Sequence, residues 1–322
     1  MLTAQKVWNQ CCCWLSYLIS LFGCLKIFHK PIFIAIEPAD WCMLGCPECP
    51  VGMGKGKDKE HLHHQFSLRQ LQILLDDIGD YLHTIIFHFQ GEPLLNKQLP
   101  ELIQLAKQRN IYTMLSTNAQ LLNNEWAERL VRSGLDKIIV SMDGISQTSY
   151  EKYRVGGNVQ KVKDALKILS KYKTTFHSPI EIELQMLRLR SNETEWKEVR
   201  KGYKKWGATV LSMKTAQFYD YENGNPLMPT KEKYARYKKD KMGKWHLKKS
   251  IRNRCLRLWS GCVVDAEGNV LPCCFDKKRR YCFGNINEQS LSKIWKSEQM
   301  DEFRKTILSN RSKFSMCTNC TE

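Results

Sequence analysis

From residue 31 onward the chain switches repeatedly between two hydrophobic periods. Short β-rich runs are followed by stretches whose apolar residues recur three or four positions apart. "IFIAI" (32–36) follows a proline and predicts a buried strand. "SLRQLQILLDDIG" (67–79) opens with Ser in a cap position and has helical periodicity. "TIIFHFQ" (84–90) predicts a strand, "QLPELIQLAKQRN" (98–110) a helix and "IYTMLSTN" (111–118) a strand. "NEWAERLVRSG" (124–134) predicts a helix closed by Gly134, "KIIVSMD" (137–143) a strand and "VQKVKDALKILSKY" (159–172) a helix. "IEIELQML" (180–187), "ETEWKEVRKGYKKWG" (193–207) and "TVLSMK" (209–214) add strand, helix and strand. Repeated βα units predict a parallel sheet, open or closed. In such folds chemistry gathers at the C-terminal ends of the strands.

The N-terminal stretch "CCCWLSYLISLFGCLKIF" has a different pattern. Lys26 interrupts it, and its apolar part is shorter than the ~20 residues of a membrane span. As a helix it gathers Trp14, Leu18, Leu21, Leu25 and Phe28 on one face, with Ser16, Ser20 and Gly23 towards another. That suits a helix packed on the protein body or lying in a membrane interface. Cys11, Cys12, Cys13 and Cys24 show no ligand spacing and read as small apolar residues.

Composition narrows the class. The 322 residues are 43% hydrophobic and 26% charged, as in a globular protein. A formal net charge of +17 favours an anionic partner, whether nucleic acid, an acidic membrane surface or a phosphorylated substrate. Of the fourteen cysteines, three lie at 42–49, seven at 255–320 and four near the N-terminus. Such clusters argue for metal centres in a reducing compartment rather than a secreted disulfide framework.

The motifs fall at strand ends. Cys42, Cys46 and Cys49, spaced C-x3-C-x2-C, follow the first strand. "QGEP" (90–93), "STN" (116–118) and "SMDG" (141–144) end the next three. In this order the motifs resemble the radical S-adenosylmethionine (SAM) superfamily over roughly residues 32 to 214. The resemblance implies an α/β fold, a partial (β/α)6 TIM-like barrel. It implies a [4Fe–4S] cluster on Cys42, Cys46 and Cys49 whose fourth iron is chelated by SAM. Reductive cleavage of SAM would then yield a 5′-deoxyadenosyl radical that abstracts hydrogen from substrate. Gly91, Glu92 and Pro93 match the motif that contacts the SAM ammonium, although Gln90 stands where the family usually has a first glycine. Ser116, Asn118, Ser141, Asp143 and Gln185 are further SAM-contact candidates. Turn or capping roles are the alternative for each. Glu48 occupies a slot where the family often has an aromatic residue, which leaves adenine packing to Trp41 or to the last strands.

The C-terminal third reads "CLRLWSGCVVDAEGNVLPCC" (255–274), "FGNINEQSLSKIW" (283–295) and "CTNC" (317–320). "DAEGNV" predicts a hairpin turn that brings Cys255 and Cys273 together. This stretch resembles the SPASM domain, in its shortened, single-cluster Twitch form. The resemblance implies one auxiliary [4Fe–4S] cluster on Cys255, Cys273, Cys317 and Cys320. Cys262, Cys274 and Cys282 are left to packing. A structural zinc site is the rival reading of the quartet.

These readings divide the chain into an N-terminal apolar helix (1–30), a radical SAM barrel (31–215), a basic linker (216–254) and a cysteine-rich iron–sulfur domain (255–322). Asp220 and Glu222, in the stretch after the last barrel strand, are candidates for a base that takes the substrate proton, with a solvated linker as the alternative for either one. "GKGKDKEHLHH" (54–64) reads as a basic loop over the active site, and 231–254 as a solvated basic helix, with a surface for nucleic acid or acidic lipid as the alternative. The expected function is an oxidation, dehydrogenation or peptide modification. The auxiliary cluster would take an electron, and flavodoxin or ferredoxin would serve as reductant. The expected site is the cytoplasm, or the inner membrane face if the N-terminal helix anchors there. Nucleic acid is not an expected partner. The alternative is a non-catalytic, zinc-stabilised basic protein that binds nucleic acid or an acidic membrane.

Overall fold

The structure is a computed structural model that describes residues 3–54 and 63–321. Most of the basic loop read at 54–64 lies outside the described residues. Along the first half run α1 (Ala4–Leu21), β1 (Phe33–Ile36), α2 (Leu68–Ile78), β2 (Thr84–Ile86), α3 (Leu99–Gln108), β3 (Tyr112–Thr117), α4 (Asn124–Arg132) and β4 (Lys137–Ser141). Next come α5 (Gln147–Glu151), α6 (Val159–Thr175), β5 (Glu181–Arg188), α7 (Trp196–Gly202) and β6 (Val210–Thr215). The last part holds β7 (Tyr237–Lys239), β8 (Trp245–Leu247), α8 (Arg257–Ser260), β9 (Gly261–Val264), β10 (Val270–Leu271), α9 (Leu291–Trp295) and α10 (Glu298–Asn310). The alternation from β1 to β6 is the connectivity of a partial (β/α)6 barrel, and the fold is mixed α/β with parallel strand pairing.

The chain forms two compact units. The first comprises residues 1–40, 63–114 and 251–322. In it β1 lies between β2 and β9 and is parallel to both, with Ile34 opposite Ile85 and Cys262. The expected hairpin is present, with β10 antiparallel to β9 across Val264 and Val270. Helix α2 starts with a capping box in which Ser67 and Gln70 satisfy each other's backbone amides. Such a cap contributes about 1 kcal/mol. Its buried Leu71, Leu74, Leu75 and Ile78 follow the 3.6-residue period.

Helix α1 also belongs to this unit, and it ends earlier than the apolar stretch does. Gly23 takes φ +88, and Cys24 N–H closes back on Ile19 O at 3.3 Å. This left-handed stop releases Leu25 and Phe28 from the helix. The buried side of α1 is mostly polar, carrying Lys6, Asn9, Ser16 and Ser20 beside Cys13 and Tyr17. Among the described residues, no helix is long and apolar enough to cross a membrane.

The second unit comprises residues 41–62 and 115–250. Its strands β4, β5 and β6 pair in parallel, with Ser141 opposite Gln185 and Gln185 opposite Ser212. Helices α4 and α6 begin at Asn123 and Asn158, whose side chains accept backbone N–H bonds. The basic segment 231–254 is not the solvated helix that its charge suggests. It forms the antiparallel pair β7–β8, because Asp240 Oδ1 accepts from both Met242 N and Lys244 N at 2.9 Å and folds the turn. One side of the pair is buried through Tyr237, which stacks on Tyr221 at 4.3 Å.

Candidate functional site

The loop carrying Cys42, Cys46 and Cys49 packs on an apolar cluster of the second unit formed by Leu44, Tyr153, Leu189, Ala216, Phe218 and Met228. Cys49 N–H donates to Cys46 O at 3.1 Å, and Met53 N–H to Cys49 O at 2.8 Å. Gly52 lies so close that a Cβ there would stand 2.5 Å from Cys46 N. Only glycine lets the loop fold back on itself at that point. Burial pushes the Cys46 thiol pKa up, and Arg154 opposes the shift. The Arg154 Nη1 lies 3.9 Å from Cys46 Sγ, while its Nε donates to Asp143 Oδ2 at 2.6 Å.

The strand ends of the same unit bring several candidates towards this loop. Asn118 Nδ2 donates to Cys42 Sγ at 3.4 Å and lies 3.3 Å from Met43 Sδ. Asp143 is buried. Its Oδ1 accepts from Leu187 N at 2.6 Å, and Asn192 Nδ2 holds its backbone carbonyl at 2.9 Å. Ser141 is buried, while Ser116 and Gln185 are half-buried.

In the first unit, Glu92 is buried and caps the short 3-10 turn Pro93–Leu95, its Oε1 accepting from Leu94 N at 3.1 Å. Gly91 is half-buried beside it. Gln90 uses its side chain to reach Lys277 O at 2.8 Å, a contact that glycine cannot make.

The C-terminal cysteines meet around one partly open cavity. Cys255, Cys273, Cys317 and Cys320 line it, with Phe275 and Phe303 among the apolar walls. Burial pushes the thiol of Cys317 up to about 11 and raises those of Cys255 and Cys273. Arg311 is buried and donates from Nη2 to Cys320 Sγ at 3.1 Å. Thiols in a dry cavity resist ionisation unless a cation compensates them. Among the described residues, no group of three or more His, Cys, Asp or Glu side chains is placed to hold a single metal ion. Cys262 is buried in β9, Cys274 packs beside Val263 and Leu271, and Cys282 is exposed.

Asp220 and Glu222 are both exposed. Glu48 is better placed than the sequence suggests. It accepts from Tyr219 N at 2.8 Å and from Asn225 Nδ2 at 3.1 Å, tying the loop after β6 to the three-cysteine loop. Sequence reasoning missed Arg154, Arg311 and this use of Glu48. Glu48, between Cys46 and Cys49, and Arg311, six residues before Cys317, carry a weak local signal; Arg154, about a hundred residues from any cysteine, carries none.

Residues 36–180 match the radical SAM superfamily, and residues 255–321 match SPASM, an iron–sulfur cluster-binding domain. The chain carries a radical SAM domain and a SPASM domain. It is 34% identical over 113 residues to the Fe-coproporphyrin III synthase of Methanosarcina barkeri, covering 35% of this chain and 27% of that one. It is 26% identical over 211 residues to the PqqA peptide cyclase of Granulibacter bethesdensis, covering 65% and 54%. It therefore spans from about a quarter to about half the length of these relatives. The S-adenosyl-L-methionine-dependent 2-deoxy-scyllo-inosamine dehydrogenase of Niallia circulans is 25% identical over 293 residues, covering 89% of this chain and 91% of that one. Two solved structures share the fold. BtrN in complex with AdoMet and 2-DOIA superposes with a TM-score of 0.55 at 21% identity, covering 91% of this chain and 93% of that one. Native anSMEcpe with bound AdoMet gives 0.64 at 18% identity, covering 90% and 88%.

Proposed function

We propose that this chain is a radical SAM oxidoreductase or modifying enzyme with one auxiliary cluster. The observation that carries the reading is the contrast between its two cysteine sets. Three thiols stand on a loop against an apolar cluster, and four others wall a separate cavity. Both donor sets suit iron–sulfur clusters, which thiolates hold. Cys42, Cys46 and Cys49 leave one coordination place for SAM; Cys255, Cys273, Cys317 and Cys320 leave none. With clusters held on Cys42, Cys46 and Cys49 and on Cys255, Cys273, Cys317 and Cys320, the first would supply the electron for reductive cleavage of SAM and the second would accept an electron from the oxidised substrate.

The chain's own residues set the conditions. The apolar cluster beneath the first loop excludes water. The Arg154 guanidinium offsets negative charge at Cys46, and Asn118 donates to Cys42. Within the second unit, Ser116, Ser141, Asp143 and Gln185 orient SAM from the strand ends. Asp220 or Glu222 takes the substrate proton at the mouth. A small electron carrier such as flavodoxin or ferredoxin serves as reductant.

The dehydrogenase relative is matched along 91% of its length and supports oxidation of a carbohydrate-like small molecule. The PqqA peptide cyclases support a peptide substrate as the second reading. Iron and sulfide analysis after anaerobic reconstitution tests the two-cluster assignment. Two [4Fe–4S] clusters give about eight iron per chain. Replacing Cys255, Cys273, Cys317 and Cys320 by Ala is expected to halve that count. Zinc without iron overturns the reading.

A further inference from the structure

Helix α1 is inside out. Its packing against its own unit is mostly polar, with Cys13 and Tyr17 as the apolar exceptions, the Tyr17 ring edge-on to Trp259 at 5.4 Å. Lys6 Nζ donates to the carbonyl oxygens of Arg109 at 3.1 Å and Asn110 at 2.8 Å. Asn9 clasps the Lys30 backbone, donating to its carbonyl at 3.1 Å and accepting from its N–H at 2.9 Å. Ser16 accepts from Phe28 N at 3.2 Å. A helix of a water-soluble domain does the reverse and turns its apolar stripe to the core.

The large apolar side chains on the other side of α1 and its cap face solvent. Trp8 is 71% exposed, Leu15 53% and Phe22 88%, and Trp14, Leu18 and Leu21 are exposed beside them. At 3.6 residues per turn these six fall on one side, opposite Lys6, Asn9, Ser16 and Ser20. A contiguous apolar stripe of this kind marks an interaction surface. Tryptophans within it are typical of helices that lie at a lipid headgroup boundary.

The surrounding charge selects the partner. No carboxylate occurs in the sequence before Glu37. Lys26 is exposed just beyond Phe22. Arg254 and Lys296, both exposed, act electrostatically on Tyr17 and His29 at the footing of the helix. The chain as a whole carries +17. A second copy would set these cations against their own kind, whereas an anionic bilayer neutralises them.

We propose that α1 seats the protein on an anionic phospholipid surface, with its axis in the plane of the interface and its apolar stripe among the headgroups and upper acyl chains. The attachment is independent of the radical chemistry. The test spins the full-length, cluster-loaded protein with vesicles of phosphatidylcholine, with or without phosphatidylglycerol. The protein is expected to pellet with the anionic vesicles, about tenfold less with neutral ones, and less in raised salt. Trp8→Gln/Leu15→Gln/Leu18→Gln/Phe22→Gln is expected to lower the bound fraction about tenfold at unchanged iron content. Lys26→Glu, a single exposed change, lowers it on its own. Wild-type protein that stays in the supernatant with both vesicle types overturns the proposal, as does equal pelleting with both. A dimer in sedimentation velocity that the fourfold variant dissolves overturns it in favour of a second copy.

Discussion

Arg154 and Asp143 form a buried ion pair, Nε to Oδ2 at 2.6 Å, with the Asp143 side chain 1% exposed. The same guanidinium reaches towards Cys46. One arginine therefore ties the end of β4 to the three-cysteine loop within the second unit. Arg154→Gln leaves Asp143 buried without its cation. Breaking such a pair costs about 3 kcal/mol. The variant is expected to melt earlier than wild type in an anaerobic thermal scan and to retain less iron. Arg154→Lys restores the charge but not the fork, and is expected to fall between the two.

Glu48 holds the loop after β6 through Tyr219 N and Asn225 Nδ2. Glu48→Ala removes both acceptors, a local loss of about 2 kcal/mol. Backbone amides of residues 219–225 are expected to exchange hydrogen faster in the variant. Exchange in α6 is expected to stay as in wild type. Unchanged protection of 219–225 contradicts the clamp.

Arg311 donates to Cys320 Sγ in the four-cysteine cavity. Hydrogen bonds and positive charge at a cluster sulfur raise its reduction potential. Arg311→Leu is expected to shift the C-terminal cluster to a more negative potential in an EPR-monitored titration. The cluster on Cys42, Cys46 and Cys49 is expected to keep its potential.

Glu37, in the first unit, is fully buried and accepts from Arg279 Nη2 at 2.7 Å. Burial lifts its carboxyl from 4.5 to about 7, while Arg279 pulls the other way. The folded protein thus keeps the Glu37 proton over a range where the unfolded chain has released it. This group's contribution to stability is present below 4.5 and is lost as the pH rises to about 7. Glu37→Gln removes that dependence. The melting temperature of wild type is expected to fall relative to the variant across this interval, and parallel curves contradict the assignment.

Much of the fold was legible because hydrophobic period reports one element at a time. The runs at 137–143 and 180–187 became β4 and β5, and Ser67 became the cap of α2, since these depend on neighbours within a few residues. The N-terminal stretch was legible only in part for the same reason. Its periodicity predicted a helix and could not reveal that Lys6 finds two carbonyl partners 103 and 104 residues away. The basic run 231–254 looked helical by charge, yet the Asp240 turn and the buried Tyr237 made it a hairpin. At the site, the cysteines were readable because ligand spacing is local. Arg154, Arg311 and the Glu48 clamp were not, because each acts on a partner that only the folded chain brings near.

The most direct measurement is 5′-deoxyadenosine release by the anaerobically reconstituted protein supplied with SAM and a low-potential reductant. Wild type is expected to release it. Cys42→Ala, Cys46→Ala and Cys49→Ala are each expected to abolish the release, while the four-cysteine cavity keeps its iron. Release that persists in these variants, or its absence from cluster-loaded wild type, contradicts the central claim.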